Sequence, residues 1–210
     1  MSITITKIEQ QKKNKKRYSL FYNDRFILGI SEESLLEFNI YTGKELPDEI
    51  IIHIERKEKY IAIREQSWRY LSRRMHSKKE LRDKLKAKGY NNEYIDKIIF
   101  ELEDKNYLND DIFARQVVSD EINLKKNGPV LIKNKLLKKG IENSLISLII
   151  DELYDEKMQY QNCLYIAEKK HNSLKRNDDR SLRNKLGRFL IQKGYSWEMI
   201  NRVISVLDVL

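Results

Sequence analysis

Two prolines and seven glycines in 210 residues leave little to interrupt regular structure, and with 40% apolar side chains the chain can bury real cores. One cysteine, Cys163, excludes an internal disulfide framework and fits a reducing compartment. No apolar run reaches the length that crosses a membrane, and the opening MSITITKIEQQKKNKKR lacks the apolar segment of a secretory signal. A soluble, cytoplasmic protein is therefore expected. Catalytic parts are also missing. Neither a GxxxxGKS/T nor a GxGxxG phosphate loop occurs, and His53, His76, His171 and Cys163 stand at no zinc or nucleophile spacing. Asn109-Asp110-Asp111 has no further carboxylates at calcium-loop spacing and reads as a helix start. The expectation is a non-enzymatic protein without cofactor or metal.

What the chain has in excess is positive charge: 41 Lys and Arg against 32 Asp and Glu, a formal net charge of +9. The excess is uneven. Residues 1–62 carry 11 basic and 10 acidic side chains, and residues 63–210 carry 30 and 22. An anionic partner for the later part of the chain is the natural reading.

The first sixty residues alternate polar and apolar in ITITKIEQ and in RYSLFY and RFILGI, with Asn23-Asp24 as a two-residue turn between the last two. This pattern predicts a small antiparallel sheet of about three strands. Ser31 caps a short helix through SLLEF, and Pro47 opens another near Asp48 that runs through EIIIHIERKEKY, although IIIHI also fits a strand. The run Lys12, Lys13, Lys15, Lys16, Arg17 fits a polar hairpin loop better than a DNA contact, because the surrounding segment is nearly neutral.

From residue 63 the chain repeats itself on Gly89, Gly140 and Gly194. Eight residues before each glycine stand Leu81, Ile132 and Leu186, and four before stand Leu85, Leu136 and Leu190. After the glycines come Ile95, Ile98 and Leu102, then Ile146, Ile149 and Leu153, then Ile200, Val203 and Leu207. A recurrence of this kind marks tandem supersecondary units. Each glycine sits where a helix needs a left-handed terminal residue, and the lysine before it suits the negative end of the helix. Ser77 to Glu80 forms a capping box, Gly128-Pro129 starts the second equivalent helix, and Asp178 or Asp179 starts the third. One further helix precedes each pair, at Trp68 to Met75, Phe113 to Leu124 and Cys163 to His171. The expected fold is mainly α: three tandem three-helix repeats at 63–109, 110–156 and 157–210 in an elongated, curved array. A small N-terminal α+β module with a β-hairpin at 1–62 precedes them.

The helix around Leu81 and Leu85 carries Lys78, Lys79, Arg82 and Lys86 on one flank, with Arg73 and Arg74 just before it. Such a flank is either a solvated face or an anion-binding one. Recurrence favours binding: Lys133, Lys135 and Lys138 crowd the second equivalent helix, and Arg180, Arg183, Lys185 and Arg188 the third. Tyr90, Tyr94, Tyr107, Tyr195 and Trp197 are base-stacking candidates by type. Tyr90 and Tyr195, however, follow the turn glycine where Ile141 stands in the second unit, which makes them core or staple residues. Trp68 and Phe113 likewise fall on the apolar faces of their helices.

Three stretches, YLSRRMHSKKELRDKLKAKGY at 70–90, NYLNDDIFARQVV at 106–118 and GPVLIKNKLLKKGI at 128–141, resemble successive signatures of the bacterial regulatory protein RecX family. The third repeat is similar in pattern more than in words, and the N-terminal segment resembles an extension carried by some members. The resemblance implies tandem three-helix repeats that modulate the RecA recombinase. It further implies binding to the RecA filament on single-stranded DNA, with inhibition of filament growth, ATP hydrolysis and strand exchange. The other function considered is a sequence-nonspecific protein that binds single- or double-stranded DNA directly, without RecA. A monomer with no membrane partner is expected.

Overall fold

The computed structural model describes residues 2–174 and 182–207. The chain divides into two compact units, Met1–Ser72 with Leu85–Ile98 and Arg73–Lys84 with Ile99–Leu210.

In the first unit, β2 (Lys7–Gln11), β3 (Asn14–Tyr22) and β4 (Arg25–Ser31) form an antiparallel sheet in that order. Lys12 and Lys13 make the first turn of this meander. Asn23 and Asp24 make the second, with φ of 45° and 61°, the doubly left-handed geometry that matches strand twist. A register shift between Leu20 and Phe21 leaves β4 one residue longer than its partner there. The stretch expected as one strand at ITITKIEQ is two. β1 (Ser2–Thr4) pairs instead with β5 (Glu45–Pro47), and the break falls at Ile5. The Ile5 N–H donates to Lys44 O at 2.9 Å, its carbonyl accepts from Gly43 N–H at 2.7 Å, and its side chain is fully buried. Ile5, Leu20, Ile30, Ile40, Leu46 and Ile54 form the core.

Ser31 caps α1 (Glu32–Glu37) through its Oγ, which accepts from the Ser34 N–H. The same serine is held by Glu58, a buried acid whose Oε1 accepts from Ser31 N–H at 2.8 Å, Ser31 Oγ at 2.7 Å and Ser34 Oγ at 2.6 Å. Arg17 lies 3.0 Å from its other oxygen. Glu58 belongs to α2 (Asp48–Leu71), a single 24-residue helix where the sequence pattern predicts two. Neither glycine nor proline interrupts IAIREQS between Tyr60 and Trp68, and its one residue of capping type, Ser67, lies inside the helix. Trp68 is 40% exposed, off the apolar face assigned to it, and its neighbour Ser67 is fully buried instead. The Ser67 Oγ donates back to Ile63 O at 2.8 Å, which satisfies the hydroxyl without a tertiary partner.

The repeat frame appears as α3 (Lys78–Lys86) and α4 (Asn92–Asp104), then α5 (Asp110–Asn123), α6 (Pro129–Lys138) and α7 (Asn143–Leu153), then α8 (Glu156–Leu174), α9 (Leu182–Gln192) and α10 (Trp197–Leu207). Gly89, Gly140 and Gly194 have φ of 81°, 79° and 87°, the left-handed region their spacing called for. The repeated apolar positions are buried, except that Leu153 is half-buried and Tyr154 beside it fills the core. Each of the later repeats closes its own core: Phe113, Ile132, Leu136, Ile146 and Ile149 in one, Cys163, Leu186, Leu190, Ile200 and Val203 in the other.

Candidate interface on the basic helices

Within the second unit, α9, α6 and the start of α3 meet end to end. At the first junction the Gly128 N–H, at the start of α6, donates to Lys193 O at 2.7 Å, and the Val130 N–H donates to Gly194 O at 3.1 Å. Gly128 has an ordinary φ of −79°, but a Cβ there would lie against Gly194 O and 2.6 Å from the Tyr195 nitrogen. At the second junction the Ser77 Oγ accepts from the Glu80 N–H at 3.1 Å and donates to Lys139 O at 2.7 Å. Ser77 and Gly128 are equivalent starts, and Lys139 and Lys193 are equivalent ends. At the first junction the orphan N–H donors of one helix meet the closing carbonyls of the other directly, and at the second the Ser77 hydroxyl bridges them, so that a donor end faces an acceptor end in both. Asp110 completes the α3 start from another helix, accepting from the Lys78 N–H at 2.8 Å. Burial pushes its carboxyl up, against the pull of that hydrogen bond. The helix cap of α5 is Asn109, as the Asn-Asp-Asp reading required, with its Oδ1 accepting from Asp111 and Ile112 N–H.

Several of the cations read as partner-binding are engaged inside the protein. Arg74 lies 2.9 Å from Glu80, Lys78 lies 2.8 Å from Glu103, and Lys135 lies 2.6 Å from the buried Glu121. Burial pushes the Glu80 carboxyl up, but hydrogen bonds and charge from Arg74 and Lys139 outweigh it and hold the group down to about 2. Glu121 follows the same logic: burial opposes ionisation, and Lys125, Lys135 and Asn127 together bring its carboxyl below the ordinary range. Lys79 donates to Lys138 O at 3.1 Å. Arg82 and Lys133 are half-buried, whereas Arg73, Lys86, Lys138, Arg183, Lys185 and Arg188 are exposed. Arg180 and the expected caps Asp178 and Asp179 lie outside the described residues.

Sequence reasoning missed the acids that hold these lysines, Glu103 and Glu121, because their partners lie on other helices. It also missed a buried polar chain between the second and third repeats. The Tyr195 hydroxyl donates to Lys126 O at 2.9 Å, so it accepts from the Tyr154 hydroxyl at 3.1 Å, which in turn accepts from Asn162 Nδ2 at 3.3 Å. Tyr195 is thus a core residue and not a stacking platform. Tyr90 and Tyr94 are half-buried, and Tyr107 and Trp197 are exposed. Burial pushes the Cys163 thiol up to about 12, as befits a core side chain. Among the described residues, no cluster of three or more His, Cys, Asp or Glu could hold a metal, and no helix is long and apolar enough to cross a membrane.

Comparison with known proteins places this geometry. A crystal structure of regulatory protein RecX matches with a TM-score of 0.75 over 98% of this chain and 100% of its own, at 24% identity, a likeness of fold. The crystal structure of RecX from Lactobacillus salivarius gives 0.64 over 73% of this chain and 99% of its own, at 30% identity. Regulatory protein RecX of Clostridioides difficile (strain 630) is 33% identical over 203 residues, covering 97% of this chain and 95% of that one. The protein of the same name from Listeria welshimeri is 34% identical over 195 residues, 93% and 72% of the two chains. The family model of the regulatory protein RecX N-terminal domain matches residues 3–47, and those of the first, second and third RecX three-helix domains match 64–102, 109–148 and 156–204. With four domain matches in order and a third of residues identical along nearly its whole length, the chain belongs to the RecX family of regulatory proteins.

Proposed function

We propose that the protein regulates the RecA recombinase by binding its filament on single-stranded DNA and inhibiting filament extension, ATP hydrolysis and strand exchange. Family membership supports a regulatory role. The observation that carries the filament reading is the run α9, α6, α3, in which cationic helices follow one another end to end. A partner that repeats along its length offers an acidic surface at each step, and every contact after the first is intramolecular, which raises affinity without new chemistry. The side chains proposed to face the partner are the exposed Arg73, Lys79, Lys86, Lys138, Arg183, Lys185 and Arg188, with the half-buried Arg82 and Lys133. Arg74, Lys78 and Lys135 serve the fold instead, through Glu80, Glu103 and Glu121.

The test is RecA-catalysed ATP hydrolysis on single-stranded DNA with increasing amounts of this protein. Inhibition at or below stoichiometric amounts is expected, and its absence rejects the reading. Binding to naked and RecA-coated strands at equal salt separates it from direct DNA binding, whose phosphate contacts weaken steeply with salt. A preference for naked strands would favour the direct mode.

A further inference from the structure

Between the second and third repeats, two adjoining cavities of about 600 and 480 Å³ share Leu124, Lys125, Phe189 and Lys193. Their rim carries six lysines: Lys125, Lys126, Lys135, Lys169, Lys170 and Lys193. No carboxylate lines either cavity among the described residues. The nearest, Glu121, is buried and already takes Lys125 and Lys135. The floor is apolar. Leu131, Ile166 and Phe189 lie beneath, and Leu124 and Tyr165 stand 76% and 56% exposed at the edge. Only Lys135 of this lysine group belongs to the helix flanks described above.

We propose that this cleft docks an acidic peptide segment of a partner protein through an apolar anchor side chain seated on Leu124 and Phe189. Charge complementarity sets the sign of the occupant, and the floor decides its class. Large exposed apolar side chains grouped beside lysines are served by a peptide that carries both carboxylates and a hydrophobic residue. A nucleic acid strand would satisfy the lysines and leave the leucine solvated. This goes beyond the filament reading, and the test contains no recombinase, so either can fail alone.

The probe is a fluorescent peptide of alternating Asp and Glu around a central Leu-Phe pair, followed by anisotropy at physiological salt. The controls are the same peptide with Ser-Ser at its centre and a single-stranded oligothymidylate of matched charge. The anchored peptide is expected to bind about tenfold more tightly than either control, the usual weight of a buried anchor. Leu124→Ser and Lys169→Glu, both at exposed positions that leave the fold intact, should each weaken it by about tenfold, and Lys12→Glu in the β2–β3 turn should not. Equal binding of the two peptides, tighter binding of the oligothymidylate, or indifference to Leu124→Ser would each overturn the proposal.

Discussion

Gly128→Ala isolates the junction between α6 and α9. Its φ of −79° is open to every residue, so the substitution brings no dihedral strain. The added methyl would nevertheless meet Gly194 O and the Tyr195 nitrogen at 2.6 Å, both of them backbone atoms that cannot swing aside. The junction must open to admit it, which breaks the bonds from Gly128 N–H to Lys193 O and from Val130 N–H to Gly194 O. Two lost bonds at about 1 kcal/mol each give an expected loss of about 2 kcal/mol, rising to about 3–5 kcal/mol where one freed group stays buried and unpaired. Two companions separate clash from strain. Gly89→Ala, at φ 81° with nothing within 4 Å of the new Cβ, carries the dihedral cost alone, about 1 kcal/mol. Gly194→Ala combines φ 87° with a Cβ 2.9 Å from Leu131 Cα and should be the worst of the three. Equilibrium urea denaturation followed by circular dichroism gives the ranking, and hydrogen exchange reads the junction directly, since the amides at 128 and 130 should lose protection in Gly128→Ala. A Gly128→Ala protein with an unchanged urea midpoint and protected amides would refute the end-to-end packing.

Acid should weaken the second unit. Glu80, held down to about 2, and Glu121, held below its usual 4.5, bind fewer protons folded than unfolded, so their contribution is complete above about pH 4.5 and fades as pH falls toward 2. Glu80→Gln with Glu121→Gln should flatten the urea midpoint against pH in that window, and an unaltered slope would exclude the assignment. Tyr195→Phe strands Lys126 O and removes the acceptor for Tyr154, at a cost of about 1–3 kcal/mol measurable in the same denaturation; a wild-type midpoint would break the polar chain. Lys135→Ala should lower stability by about 1–2 kcal/mol through Glu121 while Lys138→Ala leaves it unchanged, and the reverse result would mean that the ion pair does not hold. In the RecA ATPase assay, Lys138→Glu combined with Arg188→Glu should raise the amount needed for half inhibition severalfold, and no change would remove these residues from the partner face.

The parts of the fold legible in the sequence are those set by local rules. A left-handed glycine closing a helix, with apolar residues four and eight positions before it, is visible at Gly89, Gly140 and Gly194 because capping and helical period act within a few residues. Asn23-Asp24 is visible for the same reason. The unbroken α2 was hidden by the composition of IAIREQS, which is neutral toward helix and offers no boundary either way. The break at Ile5 was hidden because partner exchange depends on the 43–44 loop, some forty residues on. For the candidate interface, charge was legible and its disposition was not. Lys78 and Lys135 look like free cations until Glu103 and Glu121 arrive from other helices. Nor could the close approach at Gly128 be inferred, since its dihedral is ordinary and only the neighbouring backbone demands glycine.

The apolar frame and the positive charge obey different rules along the repeats. Counted back from the turn glycine, Arg82 matches Lys133, Lys84 matches Lys135, and Lys78 matches Arg183, yet on α3, α6 and α9 the basic position common to all three is the lysine just before the glycine. Two of those lysines are engaged at the junctions. Lys139 takes Glu80 and lies over Phe113, and Lys193 reaches Asn127 and lies over Phe189. The third, Lys88, is exposed beside Gly89, where no neighbour closes on the turn. At two of its three positions the recurrent lysine is therefore accounted for by helix ends meeting helix starts, without reference to a partner. The cations that differ from repeat to repeat include exposed ones, Lys86, Lys138 and Arg188 among them. Identical contacts on a regular lattice would require the opposite, fixed cations at the surface. Exposed pairs are worth about 1 kcal/mol or less each. The partner binding proposed for this face would then be a sum of unequal, individually weak contacts, which removing any single cation should reduce without abolishing.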